Sequence, residues 1–241
     1  MRAGDRLGLY ARAFDIVEVD STFYAQPPVE RFESWGERTP EGFLFTLKMP
    51  GEVTHELRLR DPRPALRFCE AARALGPKLG PILIQLPPDH GMSAFETTAA
   101  FVAALPSDLL FAVEFRDRAW LVAETRAMLR EAGVSLALSI GPWLEEAAAR
   151  SLAAEATDPL LYLRWLGSPR SGVPAAVRAE RDRELVLWAR LIPTLPVRDV
   201  YAFFNNDYQG HSPATARTLQ SLLGQTPVPP RALSPQRELF E

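Results

Sequence analysis

The feature of this chain that most constrains its fold is a regular alternation between short apolar runs and longer segments of helical periodicity. The short runs are rich in β-branched and aromatic residues, which predicts parallel strands joined by helical crossovers. Several runs stay apolar on both faces until a polar residue ends them, as in strands between a barrel interior and an outer helical layer. The sequence therefore predicts an α/β fold of the TIM-type (β/α)-barrel class. The predicted strands cover residues 14–20, 43–48, 81–86, 109–116, 134–139, 160–165 and 200–205.

The amino terminus departs from this pattern. Leu7, Tyr10, Ala11 and Phe14 recur at helical spacing, so the chain opens in a helix ahead of its first visible strand. A closed barrel of this class needs eight strands to remove its edges. We therefore expect a barrel that lacks its first strand, with a gap between the first and last predicted strands.

The length of 241 residues is close to the roughly 250 residues of one such barrel, which predicts a single domain. We assign residues 1–224 to this domain and residues 225–241 to an extended, proline-rich carboxy-terminal tail. Two longer loops are expected at 141–157 and 167–174. Helical periodicity predicts helices at 29–38, 62–75, 93–105, 118–132, 176–192 and 213–223.

Composition limits the setting and the partners of the protein. The single Cys69 cannot form an internal disulfide, which indicates a reducing compartment. No apolar run reaches the roughly 18 residues of a membrane span, so we expect a cytoplasmic protein without a membrane partner. The net charge of −3 gives the whole molecule no attraction for nucleic acid, so any contact with DNA has to be local.

Polar residues stand at the carboxyl ends of the predicted strands, where barrels of this class carry their active sites. The carboxylates of Glu18 and Glu114, with His55 in a following loop, are the candidate catalytic acids and bases. The remaining candidates would bind an anionic substrate, either a small molecule or a local stretch of nucleic acid. They are Lys48, Gln85, Arg116, Arg164, Asn205 and Asn206. The alternative is that buried Glu–Arg pairs at the barrel mouth satisfy one another without a substrate.

The sequence gives little support for a bound metal or cofactor. The three histidines are isolated, and no HxH, HExxH or CxxC spacing occurs, which argues against a transition-metal centre. No GxGxxG or GxxxxGK[ST] motif is present, so no nucleotide-phosphate loop is predicted. We expect no organic cofactor and no tightly bound metal, although carboxylates with asparagine are suitable ligands for Mg²⁺.

The strand-end residues lie in strings that together resemble the YecE-like family, the domain of unknown function 72. These strings are FDIVEVDSTFY at 14–24, FTLK at 45–48 with TH at 54–55, LGPILIQLPP at 79–88, VEFR at 113–116, YLR at 162–164 and FNN at 204–206. The resemblance implies a barrel whose strand-end candidates share one pocket, and it implies no established reaction.

The chain departs from the pattern of this family in three places. Family members usually begin with a strand that carries a Gly-Thr-Ser-Gly-Trp-like motif, which is absent here. The family commonly has histidine two residues after the arginine that corresponds to Arg164, and this chain has Leu166 there. Ser139 stands where aspartate is commoner. The resemblance therefore also implies that any family activity could be altered in this chain.

Two functions follow as hypotheses. The first is an enzyme that uses acid and base catalysis, in hydrolysis or isomerisation, on an anionic substrate. The second is a non-catalytic replication or repair accessory protein, because the tail resembles peptides that dock on the bacterial DNA sliding clamp. Gln236, Leu239 and Phe240 would make that contact, although Arg237 stands where leucine is typical. Alternatively, Leu239 and Phe240 fold back onto the barrel.

Overall fold

The computed structural model describes residues 3–156, 159–166, 182–205 and 211–233. Within them, seven strands form one sheet in chain order, and every neighbouring pair is parallel. The seven predicted strands and the (β/α)-barrel class are thereby confirmed. The strands are β1 (Ile16–Val19), β2 (Leu44–Lys48), β3 (Leu79–Gln85), β4 (Phe111–Glu114), β5 (Ser135–Ile140), β6 (Leu160–Trp165) and β7 (Asp199–Phe204).

Helices alternate with these strands and cover the outside of the sheet. The α-helices are α1 (Ala3–Ala11), α2 (Ser21–Tyr24), α3 (Val29–Glu37), α4 (Arg63–Ala72), α5 (Phe95–Ala103), α6 (Ala123–Glu131), α7 (Glu146–Ala154), α8 (Asp182–Leu191), α9 (Ser212–Leu222) and α10 (Pro230–Leu233). Short 3₁₀ helices occur at Arg73–Lys78, Met92–Ala94, Arg118–Trp120 and Ile192–Thr194, and a π-helix occurs at Glu52–Glu56. None of the helices in the described part of the chain has the length and apolarity needed to cross a membrane.

The predicted loop at 141–157 is wrong, because α7 occupies most of it. The buried face of α7 is made by Ala149 and Ala153, and the side chain of Trp188 donates a hydrogen bond of 2.7 Å to Glu146. Small alanines give only a weak apolar periodicity, so the helix depends on tertiary packing that sequence periodicity does not show. The loop predicted at 167–174 lies outside the described residues.

The core has an inner and an outer layer because successive side chains of a strand point to opposite faces. Inside the barrel, a small cluster is formed by Leu83, Ala112, Ala137, Leu160 and Tyr162. Between the sheet and the helices lies a much larger apolar layer, and the single cysteine, Cys69 of α4, is buried in it. Apolar side chains therefore fill the barrel interior away from its mouth, and the polar groups lie at the mouth, where the carboxyl ends of the strands meet.

The barrel is open between its first and last strands. Within the described residues, β1 pairs only with β2 and β7 pairs only with β6, which confirms the predicted gap. A groove of about 810 Å³ occupies this gap, with α1 and α9 along its outer side. Every residue of β1 and β7 is only half-buried, as expected for strands with one free edge.

The chain beyond α9 is described as far as residue 233. The side chain of Arg217 in α9 donates a hydrogen bond of 2.9 Å to the carbonyl of Val228, so this segment runs back along the helix. One short helix, α10, follows it. Residues 234–241 of the predicted extended tail at 225–241 lie outside the described ranges, and the prediction stays a prediction.

Candidate functional site

Polar side chains from the carboxyl ends of the strands meet inside the barrel mouth. Gln85 of β3 lies beside Glu114 of β4 in the strand register, and Ser139 of β5 lies beside Arg164 of β6. All four side chains are buried. Parallel strands end at the same edge of a sheet, so polar residues at their ends are brought together even though they are far apart in sequence.

The Arg164 guanidinium is the centre of this network. Its Nε and Nη2 donate to the carboxylate of Glu18, with shortest distances of 2.9 and 2.7 Å, and its Nη1 donates to Glu114 at 2.5 Å. The Oε1 of Gln85 also lies 3.4 Å from Nη1. Every nitrogen of Arg164 is therefore engaged by the protein itself, and the pKa of Arg164 is raised because the two carboxylates outweigh burial.

Glu114 is completely buried, and both of its oxygens accept hydrogen bonds. Oε1 accepts from Nε of Arg116 at 2.9 Å, and Oε2 accepts from the hydroxyl of Ser139 at 2.6 Å as well as from Arg164. Burial alone would raise the pKa of Glu114, but the charges of Arg164 and Arg116 outweigh it and hold the pKa below its ordinary value. Glu114 is thus an ionised anchor for two arginines.

Tyr162 belongs to the same network, although it was not among the predicted site residues. Its hydroxyl donates to Glu18 at 2.7 Å and lies 3.2 Å from the hydroxyl of Thr46. Burial, followed by the charge of Glu18, raises the pKa of Tyr162 well above its ordinary value, so it remains a neutral donor. Tyr162 stands two residues before Arg164 on the same strand face, and this spacing was the signal that could have identified it.

Arg116 makes fewer hydrogen bonds to the described residues than Arg164 does. Its Nε is fixed by Glu114, and its guanidinium lies 5.4 Å from the centre of the Trp143 ring. Within the described residues, its two terminal nitrogens have no hydrogen-bond partner, and the side chain is 22% exposed. Arg116 is therefore held in place with two donors available to a ligand.

Lys48 and His55 both contact the Phe23 ring. The Nζ of Lys48 lies 4.8 Å from the ring centre and 3.3 Å from Asp20, while the His55 ring packs edge-on at 4.9 Å. The backbone of Lys48 exchanges two hydrogen bonds with the hydroxyl of Thr22, at 2.7 and 3.0 Å. These hydrogen bonds join the end of β2 to helix α2, which carries Phe23.

His55 is carried by an unusual backbone segment. It lies in the π-helix that follows β2, and π-helices are rare and frequently occur at functional sites. The next residues include Arg58 and Leu59, whose φ angles of 50° and 63° are uncommon for residues with a side chain. The surroundings hold this strain, since Arg58 donates to Asp89 at 2.9 Å and Leu59 is buried. Strain of this kind concentrates at functional sites.

Two neighbouring cations and burial act on the imidazole of His55. Its pKa is lowered, first by burial and then by the charges of Arg116 and Lys48, with a smaller opposing effect from Asp89. The hydroxyl of Thr54 lies 2.9 Å from Nδ1 and orients the ring. His55 is therefore neutral near pH 7, in a place where an anion would be attracted.

The other predicted residues are placed less centrally or lie outside the description. Asn205 is exposed beyond β7 and borders the groove. Asn206, Gln236, Leu239 and Phe240 lie outside the described residues. The structure thus brings together Glu18, Lys48, His55, Gln85, Glu114, Arg116 and Arg164 at the mouth.

The two other histidines have structural contacts. His90 is buried, lies 2.9 Å from the hydroxyl of Thr98 and stacks on Trp120. His211 accepts a hydrogen bond from the backbone of Ala214 at the start of α9. In the described ranges, no group of three or more histidine, cysteine or acidic side chains is placed to hold a metal ion.

Two curated relatives share sequence with this chain. The UPF0759 protein YecE of Escherichia coli K12 is 32% identical over 117 residues, which are 46% of this chain and 43% of that protein. The match thus spans less than half of this relative. The UPF0759 protein YunF of Bacillus subtilis 168 is 25% identical over 248 residues, which are 90% of this chain and 86% of that protein.

Solved structures share the architecture. A DUF72 family protein from Enterococcus faecalis V583 superposes with a TM-score of 0.72 at 20% identity, covering 94% of this chain and 96% of the other. A second, from Thermotoga maritima MSB8, gives a TM-score of 0.68 at 24% identity, covering 93% and 91%. At such identities the likeness shows the barrel fold alone. Residues 1–238 match the family model described as "Protein of unknown function DUF72". Since this match covers nearly the whole chain, the chain belongs to the DUF72 family.

Proposed function

We propose that the protein is an enzyme whose active site is the barrel mouth, and that it applies acid–base chemistry to a small substrate carrying an anionic group. Arg116 and Lys48 bind the anion, and His55 transfers the proton. His55 suits this role because its lowered pKa leaves a neutral imidazole that can accept a proton near pH 7. The proposal invokes no organic cofactor and no tightly bound metal.

In this proposal Glu18 and Glu114 position other groups and do not transfer protons themselves. Both carboxylates accept hydrogen bonds from Arg164, and Glu114 accepts two more from Ser139 and Arg116. Glu114 is a weak base, because the charges of Arg164 and Arg116 outweigh its burial and hold its pKa below the ordinary value. Glu114 holds Arg116 in a fixed orientation before substrate binds, Glu18 helps to hold Arg164, and such preorganisation favours catalysis.

The proposal rests on the contrast between the two arginines at the barrel mouth, Arg164 and Arg116. Arg164 is saturated by protein carboxylates, whereas Arg116 is anchored through one nitrogen and has two donors without a partner in the described residues. A carboxylate or phosphate can accept two parallel hydrogen bonds from the N–H groups of one guanidinium. The free donors of Arg116, close enough to His55 to influence its pKa, form a site for an oxyanion.

The test is an NMR titration of the histidine rings with inorganic phosphate as the probe. Phosphate at the mouth offsets the charges of Arg116 and Lys48, so the pKa of His55 should rise saturably while that of His90 stays constant. The Arg116→Gln variant should raise the pKa of His55 without phosphate and abolish the response to it.

Arg126→Gln is the matched control, because the Arg126 side chain is also 22% exposed but pairs with Glu155 on the helical layer. This variant should behave as the wild type does. An unsaturable phosphate response at His55, or an equal response in Arg116→Gln, would remove the basis of the proposal.

A second candidate function rests on the tail motif alone. Gln236, Leu239 and Phe240 match the spacing of peptides that dock on the DNA sliding clamp, which would make the protein a replication or repair accessory factor. A fluorescent peptide of residues 231–241 should bind purified clamp saturably, and the double variant Leu239→Ala, Phe240→Ala should not. Absence of saturation up to about 100 μM, a binding free energy near −5 to −6 kcal/mol, would rule this function out.

A further inference from the structure

We propose that the substrate carries its anionic group on a flat, unsaturated ring, and that Trp143 is the residue that recognises this ring. The inference rests on the proposed function, because it places the ring beside an anion held by Arg116 and Lys48. It adds the chemical class of the substrate and a specificity-determining residue at the mouth. The packing of Trp143, the turn that carries it and its position beside Arg116 support the assignment.

Trp143 is packed differently from the other four tryptophans of the chain. Trp120, Trp165 and Trp188 are completely buried in the large apolar layer between sheet and helices, and Trp35 packs against it. Each of these four also contacts at least one other aromatic ring. Trp143 is only half-buried and, within the described residues, is not among the side chains packed in that layer. Apolar packing therefore does not account for an indole at this position.

The ring of Trp143 contacts a cation and, within the described residues, no other aromatic ring. The guanidinium of Arg116 lies 5.4 Å from the centre of the indole. Closely packed carbon atoms lie roughly 3.5–4.0 Å apart, so Arg116 does not cover the ring face completely. The same part of the chain provides no hydrogen-bond partner for the indole N–H. Part of the indole is therefore accessible to a ligand at the mouth.

The turn that carries Trp143 is held at both ends. Ile140, in the last position of β5, forms a β-bridge with Leu144, whose side chain is buried. Gly141 has a φ of 147°, a region that favours glycine, and its N–H donates to the carbonyl of Leu144 at 2.9 Å. The carbonyl of Trp143 accepts a hydrogen bond of 3.0 Å from Nε of Arg118. These contacts fix the backbone that presents the indole before any substrate binds.

Arg116 decides where the anion of the substrate meets the indole. Its Nε is fixed by Glu114 at 2.9 Å, so its two terminal nitrogens, which lack a partner within the described residues, are left to bind the anion. An oxyanion accepts hydrogen bonds from such nitrogens at about 2.7–2.9 Å. Because the same guanidinium lies beside the Trp143 ring, the first atoms attached to the anion are within reach of the indole.

A flat, unsaturated ring is the group that suits this position. It can stack on the accessible part of the indole, and a pair of aromatic rings gains stabilisation beyond the apolar area that it buries. A puckered or branched aliphatic group touches a flat ring with fewer atoms and lacks this gain. The neighbouring indole therefore favours an aryl or heteroaryl anion over an aliphatic one.

The other rings at this end of the barrel are placed less well for this role. Phe23 already contacts Lys48, His55 and Tyr24. Tyr24 is 84% exposed, but its ring contact in the described residues is with Phe23 and not with an anion-binding cation. Trp143 is the ring that combines an accessible face with a cation whose donors are available. Tyr24 provides a control for an exposed ring outside the site.

The test compares phosphonates that share one anionic group and differ in the group attached to it. Methyl-, cyclohexyl- and phenylphosphonate are titrated into the full chain while NMR follows the His55 ring signal at constant pH. Their C–P bond resists hydrolysis, so binding is measured without turnover. Phenylphosphonate should bind about five- to tenfold more tightly than methylphosphonate. Cyclohexylphosphonate, whose ring is apolar but puckered, should gain less than about threefold.

Three variants locate the preference for the phenyl group. Its measure is the ratio of the two affinities, because a general disturbance of the site would weaken the binding of both ligands. Trp143→Leu should lose the preference for phenylphosphonate over methylphosphonate. Trp143→Phe should recover part of it, since a flat ring returns to the same position. Tyr24→Leu, which removes the exposed ring on α2, should keep the full preference.

The possible results separate this inference from the proposed function. Saturable binding of methylphosphonate without a preference for the phenyl compound overturns the flat-ring substrate and leaves the anion site in place. A preference that persists in Trp143→Leu, or is lost in Tyr24→Leu, overturns the assignment to Trp143. Absence of a saturable His55 response to all three phosphonates up to about 10 mM removes the anion site, and the inference fails with it.

Discussion

The closed side of the barrel, β2 to β6, and the open side, β1 and β7, are built from similar apolar residues but are buried very differently. In β4, β5 and β6 every residue is buried, and in β1 and β7 every residue is only half-buried. The apolar character of a strand therefore does not set its burial in a parallel barrel. A neighbouring strand on each edge is also needed.

The polar network follows the same division. Ser139, Glu114 and Arg164 lie on the closed side, and all three are buried. Glu18 is the member of this network that comes from the open side, and it reaches Arg164 across the barrel interior. The guanidinium thus ties a half-buried edge strand to the rigid part of the barrel.

Replacing Arg164 by methionine should lower the free energy of unfolding by about 3–5 kcal/mol, because Glu18 and Glu114 would be left buried without their shared counter-charge. Urea denaturation measures this loss. Arg150→Met is a matched control, since Arg150 also lies between two carboxylates, Glu146 and Glu184, but in the outer helical layer. This control should lose about 1 kcal/mol or less, and equal losses would contradict the special role of the mouth.

A pair of identical substitutions compares the two sides directly. Val113 of β4 is completely buried, whereas Val200 of β7 is half-buried. Val113→Ala should lower the free energy of unfolding by about 2 kcal/mol, and Val200→Ala by less than about 1 kcal/mol. Denaturation curves of the two variants would show whether the open edge weakens β7. Equal losses in the two variants would show that the free edge of β7 does not reduce the stabilisation from burying its side chains.

The dependence of stability on pH should come largely from the closed side. The pKa of Glu114 is below its ordinary value of 4.5 in the folded protein, so its contribution is present above that pH and is lost as the pH falls below it. The lowered pKa values of His55 and His90 act in the same direction, beginning below the ordinary value of 6.5. Thermal denaturation between pH 8 and pH 3 should therefore show decreasing stability in two steps.

The Glu114→Gln variant separates the two steps. It should be less stable than the wild type at pH 7, and its stability should fall less steeply below pH 4.5, since the titrating carboxylate is gone. The step that begins near pH 6.5 should persist. An unchanged slope below pH 4.5 would assign acid sensitivity to other carboxylates.

The fold could be predicted because each strand carries its own signal. Apolar runs that end in a polar residue predicted all seven strands. The helical spacing of Leu7 and Tyr10 predicted the opening helix and the gap between β1 and β7. Helix α7 was not predicted because its buried face consists of Ala149 and Ala153, whose small side chains hardly change the local hydrophobicity. Its position is set by packing against α8 and β5, which no local pattern reveals.

The site could be predicted only as a set of residues. Strand-end position correctly grouped Glu18, Glu114 and the three cations at the mouth. The sequence could not distinguish Arg164 from Arg116, because the difference lies in how many carboxylates surround each guanidinium in space. The sequence also did not predict the π-helix that carries His55.

Because Cys69 is buried between α4 and the sheet, its labelling can measure how fast the outer helical layer opens. The pKa of its thiol is raised to about 12, mainly by burial, so almost no thiolate exists at neutral pH in the closed state. The chain contains one cysteine, so a thiol reagent has no competing target. At high reagent concentration, the labelling rate becomes the rate at which this layer opens. The protein can therefore report its own opening kinetics without an engineered probe.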